Sequence, residues 1–338
     1  MSMAPRSNPL APPFTPPNEA AKPFSSPPST NVLIPLSKWA ATCHPMMDQV
    51  TKESNEYFLI HWHFPSEESK QKFLEQDLTG WVGWDYPTAL PSRLLICTKY
   101  MTYFFLTDDM METMSISEGK ALSERLIAIA KGEVEADRGA PVEYIVSDLW
   151  DQCRAIGSDF AHDIEETTFE YWRYQASTKR ITPMGLRAML DYRRVDIAAG
   201  PILAFLRFVT DLWIPSSDSA RIKVMERNYA NHLAVVNDLY SLNKELRSVK
   251  VNHTEGATLI NTVAVLANDG DLSLNASKRV LWAMVREWEA CHDAMAGELL
   301  RDGASKDLIT YAQLMRIQLS GNEFWSRYTL RYNKVIEE

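Results

Sequence analysis

The sequence predicts an all-α fold: one helical bundle behind a non-helical leader. Glycine is scarce, 13 in 338 residues, whereas parallel α/β folds spend glycine on turns and phosphate loops. Ten of the 18 prolines lie within residues 1–35, so most of the chain is free of the residue that most disrupts helices. Over that remainder apolar residues recur at spacings of three and four, the period of an amphipathic helix.

Residues 1–35 mix proline with Ser, Asn and Ala. Such a segment sustains neither a helix nor a central strand and is expected to be a disordered leader. Residues 36–338 show no internal repeat and no second change of composition, so they are expected to form one α-helical domain. Its helical windows are Ser92 to Met114, Ser123 to Lys131, Val142 to Tyr174, Met225 to Val249, Ala257 to Ala267, Ser277 to Arg301 and Asp307 to Leu319. They are interrupted at Gly132 to Pro141, Pro215 to Asp218, Asn268 to Asp271 and Gly303 to Ser305. Ser123 and Ser273 read as helix-starting caps.

Composition narrows the function classes. With 46% apolar and 23% charged residues the chain is an ordinary globular protein with enough length for a large core. Lys plus Arg number 35 against 44 Asp plus Glu, a net charge of −9, which disfavours nucleic acid and anionic lipid as partners. An anionic small substrate would therefore need bridging cations. No apolar run reaches the length of about 18 residues that spans a bilayer, and the start lacks a secretory signal. The expectation is a soluble cytoplasmic protein, a monomer or homodimer. Cys43, Cys97, Cys153 and Cys291 are isolated, the pattern of buried thiols rather than of a zinc or disulfide framework. HExxH, GxSxG, Walker and GxGxxG motifs are absent from the sequence, which removes common zinc, hydrolase and nucleotide readings.

Chemistry concentrates in two acidic stretches. An aromatic run from Tyr100 ends in Asp108, Asp109 and Glu112. On a helix Asp108 and Glu112 share a face and Asp109 lies about 100° away. Carboxylates so close need solvent or a cation, and Phe104 and Phe105 beside them argue against solvent. The second stretch carries Asn237, Ser241 and Glu245 at steps of four, which sets an amide oxygen, a hydroxyl and a carboxylate along one stripe. These are hard oxygen donors of the kind Mg²⁺ takes together with phosphate oxygens.

The pair DDMME at 108–112 and NDLYSLNKE at 237–245 resembles the two metal-binding motifs of class I terpene cyclases, in the style of microbial and fungal sesquiterpene synthases. Cys43-His44-Pro45, Tyr86-Pro87, Arg193-Arg194 with Asp196, and the tail from Gly321 through Trp325 to Arg331 and Tyr332 are similar to that family's landmarks in order. The likeness runs from about residue 36 to the C-terminus.

The resemblance implies a bundle of the isoprenoid synthase type with a central apolar cavity, and three Mg²⁺ held around an isoprenoid diphosphate. It implies metal ligation by Asp108, with Asp109 and Glu112 beside it, and by Asn237, Ser241 and Glu245. Glu112 departs from the family's commoner final Asp, and its longer arm leaves direct contact with metal open. Arg193, Lys244, Arg331 and Tyr332 would bind the diphosphate. Arg193 would sense it, with Asp196 as relay and the Ile197 carbonyl beside the breaking bond. Arg194 rivals Arg193, and the pair Arg327-Tyr328 rivals Arg331-Tyr332. Phe105 and Trp325 would wall the cavity, with Phe104, Phe205 and Phe208 as further aromatic candidates. The implied activity is a carbon–oxygen lyase that ionises farnesyl diphosphate, releases diphosphate and cyclises the cation. Geranyl or geranylgeranyl diphosphate, chain elongation, and a catalytically silent binding module are the alternatives.

Overall fold

The structure is a computed structural model that describes residues 32–214, 218–251 and 254–333. Among the described residues there are helices and no strands. In chain order the α-helices are α1 (Met47–His61), α2 (Glu67–Glu75), α3 (Leu78–Asp85), α4 (Pro91–Met111), α5 (Ile116–Ala130), α6 (Pro141–Ile156) and α7 (Ser158–Gln175). After a 3₁₀ turn at Thr178–Ile181 come α8 (Leu186–Asp196), α9 (Ala199–Thr210) and α10 (Ser219–Val251). Another 3₁₀ turn at Glu255–Ala257 leads to α11 (Thr262–Asp269), α12 (Leu274–Arg301), α13 (Lys306–Ser326) and α14 (Leu330–Asn333).

Local chemistry explains many boundaries. Pro91 and Pro141 open α4 and α6 at the position where a missing N–H costs nothing. Ser115 and Glu118 form a reciprocal capping box at the start of α5. The Ser273 side chain caps α12 as expected, accepting from the Ala276 N–H at 3.2 Å. Ser123, expected to begin a helix, instead lies within α5, where its hydroxyl donates to the carbonyls of Gly119 and Trp172.

Three further differences from the sequence expectation have physical causes. The window Val142 to Tyr174 is two helices that meet at Gly157, whose backbone is extended. Both halves pack on α5, so the apolar period continues through the bend. In the window Ala257 to Ala267 the α-helix begins only at Thr262, because Asn261 caps it by accepting from the Val263 N–H at 2.9 Å. Helix α3 is buried nearly all round and therefore shows no period. Of the expected leader, residues 1–31 lie outside the described residues. Residues 32–35 carry Val32 and Ile34, which pack on the apolar cluster shared by α10, α11 and α12.

The long helices α4 and α10 run through the middle of the bundle. Below the site the core is aromatic: Trp150 lies 5.0 Å from Tyr100 and 5.7 Å from Trp172, and Tyr100 lies 4.7 Å from Phe205. Each such ring buries a large apolar area, and the tilted pairs add their own attraction. Phe205 and Phe208 are fully buried in this core and do not line the cavity. Between α8 and α9 the chain turns on Ala198, a left-handed residue with φ 61°. This conformation is costly for a residue with a Cβ and collects at functional sites.

Candidate active site

A cavity of about 1120 Å³, counting its open mouth, lies between α4 and α10. Its deep part is walled by Trp81, Met101, Phe104, Phe105, Tyr171 and Trp325. Phe105 meets Trp81 edge-on at 5.7 Å and faces Trp325 at 6.0 Å. Trp325 is held by its indole N–H, which donates to the Asp77 carbonyl at 3.0 Å. The two wall residues expected from the sequence thus stand together, with Phe104 beside them.

The mouth is polar. Asp108 and Glu112 from α4 face Asn237, Ser241, Lys244 and Glu245 from α10, and Arg193, Asp196 and Ile197 from the end of α8 complete the rim with Arg331 and Tyr332. Carboxylate oxygens of Asp108, Asp109 and Glu112 lie within 4.8 Å of one another. Lys244 donates to Asp109 and Glu112, each at 2.9 Å, and so ties α10 to α4. Arg331 forks onto Asp109 with two bonds of 2.8 Å and lies 5.2 Å over the Phe105 ring. Burial alone would raise the Asp109 carboxyl, but Arg331 and Lys244 hold it well below the usual range.

Arg193 is buried and reaches three groups. One nitrogen pairs with Asp196, and the other donates to Asn237 at 3.0 Å and to Asp238 at 2.7 Å. Its Nε has no partner among the described residues. The Tyr332 hydroxyl accepts from the Asn237 amide at 2.9 Å. Each expected diphosphate contact therefore touches an expected metal ligand. Their rivals point elsewhere: Arg194 turns to Asp191 and Asn231, and Arg327 pairs with Glu323 while Tyr328 is exposed.

The donor set suits divalent cations. Asp108 accepts a hydrogen bond from the Gln175 amide at 2.7 Å. Burial, reinforced by Glu112, pushes its carboxyl up to about 6. Across the mouth, burial and then Asp238 push Glu245 up to about 7, although Ser241 and Asn261 donate to it. On each helix, then, a carboxylate is short of positive charge, and a hard cation between α4 and α10 would supply it.

Sequence reasoning missed several residues in or behind the site: Arg180 and Tyr171 line the cavity, while Asp238 and Gln175 stand behind it. Asp238 lies inside the second motif and anchors Arg193, while its other oxygen accepts from the Thr262 N–H at 2.8 Å. Its signal was its place in the motif. Gln175, Arg180 and Tyr171 come from the end of α7 and the connector after it, where no motif stands.

Comparison with known proteins agrees with this geometry. The family model described as terpene synthase family 2, C-terminal metal binding, matches residues 99–290. The chain is 41% identical to (+)-aristolochene synthase TS1 of Penicillium expansum, covering 90% of this chain and 92% of that protein. It is 39% identical to the aristolochene synthase of Aspergillus terreus over 91% of this chain and 97% of the relative. The crystal structure of aristolochene synthase from Penicillium roqueforti superposes with a TM-score of 0.78 at 36% identity, covering 88% of this chain and all of that one, 100%. With its two acidic helices facing one cavity, the chain belongs to the terpene synthase family, among the class I sesquiterpene cyclases.

Proposed function

We propose that this protein is a Mg²⁺-dependent sesquiterpene synthase that ionises farnesyl diphosphate, releases diphosphate and cyclises the resulting cation. The observation that carries the reading is the meeting of Asp108 and Asn237 across one cavity whose floor is aromatic. Asp108 with Asp109 and Glu112 on one side, and Asn237, Ser241 and Glu245 on the other, would hold the cations, three by family likeness. When bound, they supply the charge that makes diphosphate a good leaving group.

The chain's own residues do the rest. Arg193, Lys244, Arg331 and the Tyr332 hydroxyl are stationed at the mouth to hydrogen-bond diphosphate oxygens as the C–O bond breaks. Asp196 keeps the Arg193 guanidinium aimed, and Ile197 ends α8 where the reacting carbon would lie. Phe105, Phe104 and Trp325 present ring faces that stabilise a cation without offering it a nucleophile. Their bulk also excludes water from the deep part.

The test is product analysis by gas chromatography with mass detection, using farnesyl, geranyl and geranylgeranyl diphosphates with Mg²⁺. A cyclic C15 hydrocarbon or alcohol is expected from farnesyl diphosphate, and aristolochene, which names the relatives, is the product to look for first. Asp108→Ala and Asn237→Ala should each lower turnover by at least about 100-fold. Normal rates in both variants, or a longer prenyl diphosphate formed only when isopentenyl diphosphate is added, would overturn it.

A further inference from the structure

The connector between α7 and α8 touches each half of the site from behind. At its start the Gln175 amide, 6% exposed, donates to the Asp108 carboxylate at 2.7 Å. The amide's own oxygen is buried without a partner among the described residues. Five residues on, Arg180 donates from Nε to the Gly256 carbonyl at 3.1 Å and from NH1 to Asp196 at 3.3 Å. Its side chain is 14% exposed and lines the main cavity. It also lines a small second cavity behind Asp108 that Gln175 and Gly256 share.

The segment Arg180 grips is docked on the first metal-binding helix. The Gly256 N–H donates to the Met114 carbonyl at 3.0 Å, and the Thr254 hydroxyl donates to the Glu112 carbonyl at 2.7 Å. A Cβ on Gly256 would stand 2.2 Å from the Met111 carbonyl, so this approach is backbone on backbone. Asp196 in turn shares its carboxylate between Arg180 and Arg193. One short connector therefore fixes a carboxylate on α4, a carboxylate at the end of α8, and the segment that follows α10.

We propose that Gln175 and Arg180 are positioning residues that hold the two halves of the site in register: Gln175 fixes the orientation of Asp108, and Arg180 locks Asp196 to the 254–257 segment. This deepens the cyclase reading and rests on it. Gln175 contributes a neutral donor that sets which oxygen Asp108 turns to a cation. Arg180 contributes a fork, which a single-point cation cannot replace at both acceptors.

The two roles give different signatures. Manganese with inorganic pyrophosphate serves as the direct binding probe, followed by calorimetry. Gln175→Met should weaken manganese binding about 10-fold or more, the usual effect of losing an outer hydrogen bond to a ligand. It should raise the KM for Mg²⁺ in proportion while kcat at saturating metal changes little. Arg180→Gln should keep manganese-pyrophosphate affinity within about 3-fold. In that variant the backbone amides of 254–257 should lose the protection from hydrogen exchange that the wild type shows with pyrophosphate bound, and Arg180→Lys should restore only part of it. If the Met variant fails to fold, Gln175→Leu repeats the measurement. Unchanged manganese affinity without the Gln175 amide, or unchanged protection without Arg180, overturns the proposal. A wild type that binds manganese-pyrophosphate but gains no protection at 254–257 also overturns it, and leaves the cyclase reading standing. A wild type that does not bind the probe overturns the cyclase reading, and this proposal with it.

Discussion

Replacing Arg193 by lysine removes one of two nitrogens that together reach Asp196, Asn237 and Asp238. A lysine ammonium cannot span those acceptors, and a carboxylate is left buried with too little charge beside it. Arg193→Lys should therefore lower kcat/KM by about 100-fold. Arg194 pairs with Asp191, whose side chain is half exposed, so Arg194→Lys should stay within about 0.5 kcal/mol of wild type. Steady-state kinetics on both variants decide it, and equal losses would contradict the assignment. Helix geometry alone could not make this choice, although the family resemblance favoured Arg193. Adjacent residues on a helix point about 100° apart, and the phase of α8 relative to the cavity depends on the turn at Ala198, which no residue type announced. The pair at 331–332 had the same ambiguity with 327–328. The resemblance favoured 331–332 by their step from Trp325, and in the structure α13 ends at Ser326 and the chain turns so that Arg331 and Tyr332, not Arg327 and Tyr328, line the mouth.

At the scale of the element, α13 comes unusually close to α3. A Cβ built on Gly321 would lie 2.0 Å from the Trp84 carbonyl oxygen. Gly321→Ala must push the two helices apart, and overpacking of this kind costs about 1–3 kcal/mol. Because Asn322 and Trp325 follow on the same helix and line the cavity, catalysis should fall along with the denaturation midpoint. A Gly321→Ala variant with the wild-type urea midpoint would refute the close approach. Element existence was legible where one face alone is buried, as in α12 with its Ser273 cap. The helices α4 and α10 were legible through their acidic motifs as much as their period. Illegible were α3, which is buried nearly all round, and the bend at Gly157, where the period runs straight through. The site followed the same division. Most residues inside the two motifs were named, though Asp238 within the second was not, while Gln175 and Arg180 stand at or in a connector that has no period and no motif.

Across the whole molecule, one buried ionic network joins elements far apart in the chain. Glu323 on α13 accepts two bonds from Arg286 on α12, at 2.7 and 2.8 Å, and also pairs with Arg327. Arg286 reaches Glu289 and the Pro35 carbonyl, and Glu289 takes the Ser37 hydroxyl at 3.1 Å. The described start of the chain is thereby tied to the bundle. Burial would raise the Glu323 carboxyl, but Arg286 and Arg327 outweigh it and leave it below the ordinary range. A carboxyl depressed in the folded state binds fewer protons there than in the unfolded chain, so stability rises with pH wherever the unfolded group is still protonated. The contribution is complete above the unfolded value of about 4.3 and is lost as pH falls through the lower folded one. Glu323→Gln should thus destabilise the protein at pH 7 by about 3 kcal/mol, the cost of removing one partner from a buried pair. It should also flatten the acid limb, so that wild type and variant converge in urea midpoint as pH is lowered from 5 toward 3. Parallel curves with a constant gap across that range would show that the charge of Glu323 is not what holds the start of the chain, α12 and α13 together.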